Sequence, residues 1–374
     1  MTSPRTRPAL AILALWISGF LVIPPISRAA ELKATHVFLV TTDGLRWQEV
    51  FQGAEERLMN KTNGGVKDVD GLRARFWRNT PEERRAALFP FLWGTVAKQG
   101  QIFGNSNRGS VVRVTNGRNF SYPGYSEFLT GAADSNIISN AKIPNPNTNV
   151  FEWLNTRSRF QGRVSAIVNW DTIAWILNAG RSRIPVWTGL LLPKDAPFPP
   201  AIPAWIETAQ AGVTPIWGDL ILDTFTSHAA LQHVRNARPR AAYFAFGETD
   251  EWAHEGRYDL YLASAFNVDR FLGQLWDLLQ SLAEYRDRTA LVITTDHGRG
   301  AGLTSWRDHG AKTEESGAVW VGVIGPDTPG LGERASIPEL TQGQVAATLA
   351  ALVGEDFTRA SPRSAGPIRD VLGR

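Results

Sequence analysis

The sequence predicts an α/β fold, with a mostly parallel sheet flanked by helices. Short, uninterrupted apolar runs are typical of buried parallel strands, and longer stretches with apolar residues at three- to five-residue steps are typical of amphipathic helices. The two kinds of segment alternate along the chain. Such alternation usually places the strands in one sheet and the helices on its faces. An α+β fold with separate halves is the alternative.

Five apolar runs are predicted as strands, because each is short and lacks polar alternation. They are VFLVTT (37–42), VSAIVNW (164–170), AAYFAF (241–246), TALVITT (289–295) and AVWVGVIG (318–325).

The clearest helical pattern covers residues 258–285, and a second one covers 342–354 and ends at Gly354. The proline-dense segment PKDAPFPPAIP (193–203) predicts a surface loop or small insertion near 180–215. We expect this loop to lie within a single catalytic domain that spans residues 30–374.

The N-terminal residues 1–29 predict a secretory signal peptide. Arg5 and Arg7 precede an apolar run over 9–23, and Ser27 to Ala29 supplies small residues for cleavage. An uncleaved membrane anchor is the alternative, but the run of about 15 residues is shorter than the ~20 that span a bilayer. We expect a secreted or periplasmic protein without stable membrane association after cleavage.

Composition bears on two questions, whether the chain binds nucleic acid and whether it uses cysteine chemistry. Of the 39 basic residues, three arginines lie in the predicted signal, so the mature chain has as many basic residues as its 36 acidic ones. We therefore infer no nucleic-acid binding. The chain has no cysteine, which excludes disulfides and thiolate chemistry, and any metal has to be held by His, Asp, Glu or hydroxyl groups.

Aspartates and histidines follow three of the predicted strands directly. Ligands of open α/β sheets bind outside the carboxyl ends of the strands, so these side chains are expected to converge. Imidazole and carboxylate groups suit Zn²⁺, and with more oxygen donors Mn²⁺ or Mg²⁺. Each group alone is typical of a turn or a helix surface, but their joint placement favours a metal site. The candidates, including one from the later WRDHG segment, are Asp43, Asp250, His254, Asp296, His297 and His309.

Five motifs occur in an order that resembles the alkaline phosphatase superfamily, nearest its type I phosphodiesterase/nucleotide pyrophosphatase branch. They are TTDG (41–44), SYPGYSEFLTG (121–131), DEWAH (250–254), TTDHG (294–298) and DHG (308–310). The resemblance runs from about residue 35 to about 355. It implies an alkaline phosphatase-like three-layer sandwich that holds two divalent metal ions, most often Zn²⁺.

The resemblance also implies which residues bind each metal. One ion would be held by Asp250, His254 and His309. The other would be held by Asp43, Asp296 and His297, with the nucleophile beside it.

Ser121 matches the nucleophile position of that family. In the phosphodiesterase branch a threonine opens the pattern T-x-P-x-x-x-x-x-x-T-G, and here Ser121 precedes Pro123 and Thr130 at the same spacing. The resemblance implies that Ser121 contacts the second metal, starts a helix and forms a phosphoserine intermediate. Ser126 is predicted to be a scaffold residue in the first turn of the same helix.

Three residues are candidates for contact with the substrate phosphate: Asn119, for which a surface turn is the alternative, and either Asn140 or Lys142. Asn119 lies two residues before Ser121. The asparagine that contacts phosphate in the phosphodiesterase branch falls, by its offset, on Lys142, with Asn140 two residues away.

The sequence therefore predicts a secreted enzyme, a two-metal hydrolase of small phosphoric esters, either diesters or monoesters. A sulfatase of the same fold is one alternative, but its C/S-x-P-x-R pattern requires an arginine where this chain has Tyr125. A non-catalytic secreted metal-binding protein is the other.

Overall fold

The computed structural model describes residues 1–2, 4, 32–190, 192–198 and 202–373. The predicted signal peptide lies almost entirely outside these residues, so export and cleavage stay predictions. Leu32–Arg374 groups into one unit by its contacts. Within the described ranges, no helix combines the length and the apolar character needed to cross a bilayer.

The strands are short, and most of them belong to one sheet. They are β1 (His36–Thr42), β2 (Gln101–Phe103), β3 (Val112–Arg113), β4 (Val164–Val168), β5 (Val186–Trp187), β6 (Ala241–Phe246), β7 (Thr289–Thr294), β8 (Ala318–Val319), β9 (Val321–Ile324), β10 (Gly332–Glu333) and β11 (Leu340–Thr341). In the described part of the chain, eight of them form a sheet in the order β10-β2-β9-β7-β1-β6-β4-β5. β9 runs antiparallel to both of its neighbours, and the other pairs of this sheet are parallel. The prediction of an α/β fold with a mostly parallel sheet is confirmed.

The helices lie between the strands along the chain. They are α1 (Trp47–Gln52), α2 (Lys61–Gly64), α3 (Val69–Phe76), α4 (Pro81–Leu88), α5 (Ala97–Gln99), α6 (Ser121–Thr130), α7 (Val150–Asn155), α8 (Ile173–Ile176), α9 (Ala179–Ser182), α10 (Ala204–Ala211), α11 (Asp223–Ala237), α12 (Glu248–His254), α13 (Tyr258–Ser281) and α14 (Gln344–Leu352). α13 and α14 match the two helices predicted from apolar periodicity. The proline-dense residues 192–198 carry neither helix nor strand.

The central strand β1 shows how the three layers are held together. Phe38 and Val40 belong to one buried apolar cluster, while Val37 and Leu39 belong to a second cluster. Successive strand side chains point to opposite faces, so the two clusters cover the two faces of the sheet. α13 packs into the first cluster, and α6 and α14 pack into the second. Burial on both faces explains the uninterrupted apolar character of the strand.

The run 318–325, predicted as one strand, is two strands in different sheets. Ala318–Val319 pairs with β3 in a small sheet of order β11-β3-β8, whereas Val321–Ile324 pairs with β7 and β2. The chain changes partners at Trp320, whose indole N–H donates to the carbonyl of Leu45 at 3.1 Å. An apolar run does not reveal a change of partner, because both halves are buried.

Candidate metal centre and active site

The carboxyl ends of three adjacent parallel strands carry the predicted metal ligands. β7, β1 and β6 are neighbours in the sheet. Asp43 directly follows β1, Asp296 comes two residues after β7, and α12 begins two residues after β6. Because the strands run in the same direction, these residues meet at one edge of the sheet.

The first cluster consists of Asp43, Asp296 and His297. His297 Nε2 lies 3.3 Å from Asp43 Oδ1 and 3.3 Å from Asp296 Oδ2. These three atoms are buried and have no hydrogen-bond partner among the described residues. Ligands placed 2.0–2.2 Å from a tetrahedral Zn²⁺ are separated by about 3.3–3.6 Å. The spacing and the missing partners both fit a divalent metal ion.

The remaining polar atoms of this cluster are held by the protein. Tyr125 donates its hydroxyl hydrogen to Asp43 Oδ2 at 3.0 Å, and the Gly44 N–H donates to Asp296 Oδ1 at 3.0 Å. His297 Nδ1 lies 3.0 Å from the carbonyl oxygen of Gly298. A carbonyl only accepts hydrogen bonds, so Nδ1 carries the hydrogen and Nε2 is left as the ligand atom.

The second cluster consists of Asp250, His254 and His309. His254 Nε2 lies 3.1 Å from Asp250 Oδ2 and 3.1 Å from His309 Nε2. Asp250 and His254 share one face of α12, as the four-residue spacing predicts. His309 Nδ1 donates to the carbonyl oxygen of Asn119 at 3.1 Å, which again leaves Nε2 for a ligand.

The two clusters adjoin each other. The rings of His297 and His309 stack with their centroids 4.0 Å apart. Asp250 Oδ1 lies 3.8 Å from the Nε2 atoms of both His297 and His309. Ligand atoms of Asp250, His297 and His309 all lie within 4.8 Å of one another, and so do those of the first cluster. All six predicted ligands share one site that has donors for two neighbouring ions.

Burial and neighbouring charge shift the pKa values in this site. Burial by itself would lower the pKa of His297, but the carboxylates of Asp296 and Asp43 raise it to about 9. Burial and the charge of Asp43 raise the pKa of Asp296. Burial lowers the pKa values of His254 and His309, and the charge of His297 lowers them further. In the first cluster, the carboxylates of Asp43 and Asp296 thus supply negative charge that a divalent cation would neutralise.

Ser121 is the first residue of α6, and residues close to it in the chain contact both clusters. Gly124, in the same turn, touches the main chain of Asp296, because a Cβ at position 124 would lie 2.4 Å from that carbonyl oxygen. Tyr125 holds the first cluster through its hydroxyl, and Asn119 holds the second through its carbonyl. Ser121 itself is only 6% exposed.

The start of α6 has few free N–H groups. The N–H of Tyr122 donates to Asn140 Oδ1 at 2.9 Å, Pro123 has no N–H, and the N–H of Gly124 donates to the Phe120 carbonyl at 3.0 Å. Of the first four helical residues, Ser121 keeps the N–H without a partner among the described residues. An anion at this helix start would therefore meet one main-chain donor rather than several.

The three predicted phosphate contacts already have protein partners. The Asn119 amide nitrogen donates to Ser316 Oγ at 3.2 Å, and Lys142 Nζ lies 2.6 Å from Asp171 Oδ2. Asn140 uses its carbonyl oxygen at the start of α6, as described above. Their contact with a substrate phosphate stays a prediction.

Arg299 belongs to the site, although no sequence pattern pointed to it. Its side chain is fully buried, and its guanidinium donates to the carboxylate and the carbonyl oxygen of Asp250 and to the carbonyl oxygen of Arg307. Burial lowers the pKa of Arg299 to about 9. In the sequence, the one sign that Arg299 belongs to the site is its position directly after Asp296-His297-Gly298. That position does not show that the guanidinium is buried.

Comparison with known proteins gives structural matches only. No protein-family model and no curated protein sequence matches the chain. The phosphonate monoester hydrolase from Silicibacter pomeroyi matches with a TM-score of 0.54 and 13% identity, over 91% of this chain and 76% of that one. The phosphonate monoester hydrolase of Agrobacterium radiobacter matches with a TM-score of 0.53 and 12% identity, over 91% and 77%. A 2-O GAG sulfatase matches with a TM-score of 0.52 and 12% identity, over 91% and 74%.

Identities this low establish the fold and carry no assignment of individual residues. The narrower placement in the type I phosphodiesterase branch stays a prediction. The chain has the fold of these phosphonate monoester hydrolases and this sulfatase, which is the fold that the resemblance to the alkaline phosphatase superfamily implied.

Proposed function

We propose that the chain is a two-metal hydrolase of small phosphoric esters in which Ser121 is the nucleophile. One observation carries this proposal. Two adjacent clusters of aspartate and histidine side chains, the first of them buried, are contacted by residues at or just before the start of the helix that Ser121 opens. The three orphaned ligand atoms of the first cluster match the spacing of ligands around one metal ion.

The donor sets indicate the metal and its contribution. Asp43, Asp296 and His297 would hold one ion, and Asp250, His254 and His309 the other. Sets of nitrogen and oxygen donors suit Zn²⁺ best, with Mn²⁺ or Mg²⁺ as alternatives. Such ions lower the pKa of a neighbouring hydroxyl and neutralise charge on phosphoryl oxygens.

The reaction would proceed in two displacements. Ser121 Oγ attacks phosphorus in line with the leaving group, so that a phosphoserine forms as the P–O bond to the alcohol breaks, and the proton given up by the Ser121 hydroxyl balances the one that the leaving alkoxide takes up. Water then attacks the phosphoserine and releases phosphate or a phosphate monoester. The N–H of Ser121 and the positive end of α6 favour an anion at this position.

Hydrolysis of sulfuric esters is the competing function, because a sulfatase is among the structural matches. Sulfatases of this fold use a formylglycine made from the first residue of C/S-x-P-x-R. Here Tyr125 stands in place of the arginine, and its hydroxyl donates to Asp43. This favours an unmodified Ser121, which acts on phosphorus.

Three chromogenic esters test the proposal. We would measure rates on p-nitrophenyl phosphate, bis-p-nitrophenyl phosphate and p-nitrophenyl sulfate, with Zn²⁺ and after chelation. We expect turnover of at least one phosphate ester, its loss on chelation and its recovery with Zn²⁺. Fastest turnover of the sulfate ester would favour the sulfatase, and rates unaffected by chelation would contradict a metal-dependent enzyme.

A further inference from the structure

Arg299 connects the chain segments that carry the second cluster of ligands. Its Nη2 donates to Asp250 Oδ1 and, at 3.1 Å, to the Asp250 carbonyl oxygen in α12. Its Nη1 donates to the carbonyl oxygen of Arg307, two residues before His309. Arg299 itself lies two residues after His297. One planar guanidinium therefore joins the three segments that meet at the metal site.

The same contact fixes the direction of the Asp250 carboxylate. Oδ1 is taken by Arg299, and Oδ2 lies 3.1 Å from His254 Nε2. Position 44 leaves room for this pair, because a Cβ there would lie 2.6 Å from Asp250 Oδ1 and 2.9 Å from Arg299 Nε. Gly44 also has a φ of +61°, a conformation that favours glycine.

We propose that Arg299 is a positioning residue that assembles the Asp250–His254–His309 metal site and restricts Asp250 to one ligating oxygen. This inference rests on one part of the proposed function, the binding of a metal ion by this cluster, and does not require that the chain hydrolyses an ester. Mutation of a group that hydrogen-bonds to a metal ligand and orients it commonly lowers metal affinity by roughly 10- to 100-fold.

Two effects of Arg299 oppose each other, so the direction of the change is informative. A positive charge beside a metal ion weakens binding by Coulomb repulsion, and its removal alone would tighten binding. Alignment of α12 with the loop that carries His309 strengthens binding, and its loss would weaken binding. The proposal requires the second effect to dominate.

The test measures zinc affinity in the variants Arg299→Met and Arg299→Lys. Zn²⁺ is titrated against a fluorescent chelator, and bound metal is counted by elemental analysis. We expect both variants to weaken one of two zinc sites by roughly 10- to 100-fold. The Arg299→Lys variant is not expected to rescue binding, because an ammonium group cannot span the same three acceptors.

Two further variants identify the affected site. Tyr125→Phe removes the donor on Asp43 and should weaken the other site. The second variant combines Arg299→Met with His309→Ala. Because His309→Ala alone is expected to empty the second site, adding Arg299→Met should change zinc binding little. Far-UV circular dichroism checks the fold of each variant, and Arg299→Lys carries the test if Arg299→Met does not fold.

Unchanged or tighter zinc binding in Arg299→Met would overturn the inference, as would full recovery with Arg299→Lys. Failure of the proposed function looks different. A wild-type protein that binds two zinc ions but hydrolyses no ester would contradict the function and leave the role of Arg299 standing.

Discussion

Each of the three aspartates in the site has its two carboxylate oxygens in different surroundings. Asp43 and Asp296 each have one oxygen held by a donor from the protein, while the other is buried without a partner among the described residues. Asp250 has one oxygen on a guanidinium and the other facing a histidine. A carboxylate fixed in this way does not have to reorient when a cation binds, so the site is preorganised.

Ser121→Ala should reduce ester hydrolysis at least about 1000-fold, because it removes the attacking atom. Metal content should stay near two ions per chain, since the six other ligands remain. Ser126→Ala is the matched control in the same helix. Ser126 Oγ accepts a hydrogen bond from Asn145 at 2.9 Å, so its loss should cost about 1 kcal/mol of stability and leave the rate nearly unchanged. A wild-type rate in Ser121→Ala would show that another group is the nucleophile.

His309→Ala should remove one of the two metal ions and most of the activity, because the second cluster loses one of three ligands. Elemental analysis of the purified protein gives the count. His228→Ala is the control, since His228 is exposed and packs near Trp205 rather than at the site. If His309→Ala still contains two ions per chain, His309 is not a ligand.

That the candidate ligands converge could be predicted from the sequence, because most of them lie shortly after strands, and parallel strands end at one edge of a sheet. That they bind metal stays a prediction. The surroundings of the ligands could not. Asn119 orients His309 through its main-chain carbonyl, which any residue type offers. Arg299 is buried by segments distant in sequence, and a lone arginine in a sequence is normally exposed.

Secondary-structure elements differ in how far the sequence determined them. β1, β6 and β7 were predicted within one residue at each end, because strands buried on both faces are apolar throughout. The two-residue strands outside the predicted runs, β3, β5, β10 and β11, were missed because they are too short to show a pattern. The run 318–325 shows the same limit, since its two halves pair with strands far away in the sequence.

The contact between α6 and the strand-end loop leads to a prediction about Gly124. Gly124→Ala would place a Cβ 2.4 Å from the Asp296 carbonyl oxygen. This contact is too short, so either α6 or the segment that carries Asp296 has to move. We expect a loss of about 1–3 kcal/mol in unfolding free energy, typical of overpacking, together with reduced zinc affinity.

Gly94→Ala provides the matched control. Gly94 lies in the helical segment Leu92–Val96, and a Cβ there would meet no atom within 4 Å. This change should be neutral or stabilising by up to about 1 kcal/mol, because alanine favours helix. Urea unfolding measures both variants. Equal stability in the two would mean that the helix start is not tightly packed against Asp296.

Across the whole molecule, the two edges of the sheet carry different ionisable groups. The candidate metal ligands lie beyond the carboxyl ends of the strands, whereas His36 is the first residue of β1, at the amino ends. His36 is buried, with its ring edge-on to Tyr285 at 4.7 Å. Changes at this histidine should therefore affect stability without touching the metal site.

His36 should make the protein less stable in mild acid. Burial lowers its pKa from 6.5 to about 4, although Glu284 acts in the opposite direction. Because the folded pKa lies below the unfolded one, the folded state binds fewer protons, and stability falls as the pH drops from about 6.5 to about 4. The loss would reach at most about 3 kcal/mol.

Urea unfolding of the wild type and of His36→Gln between pH 7 and pH 4 measures how much stability the protonation of His36 costs. The variant should lose less stability over that interval, because glutamine does not titrate. Parallel pH profiles for the two proteins would show that His36 does not contribute.

The order of strands in the sheet has a consequence for how the chain folds. β1 is made first, yet its two neighbours are β6 and β7, which begin at residues 241 and 289. The centre of the sheet therefore depends on contacts between distant parts of the chain, which makes folding slow. A fragment that ends before residue 289 would leave an apolar edge of β1 unpaired, and we expect it to aggregate rather than to form half of the fold.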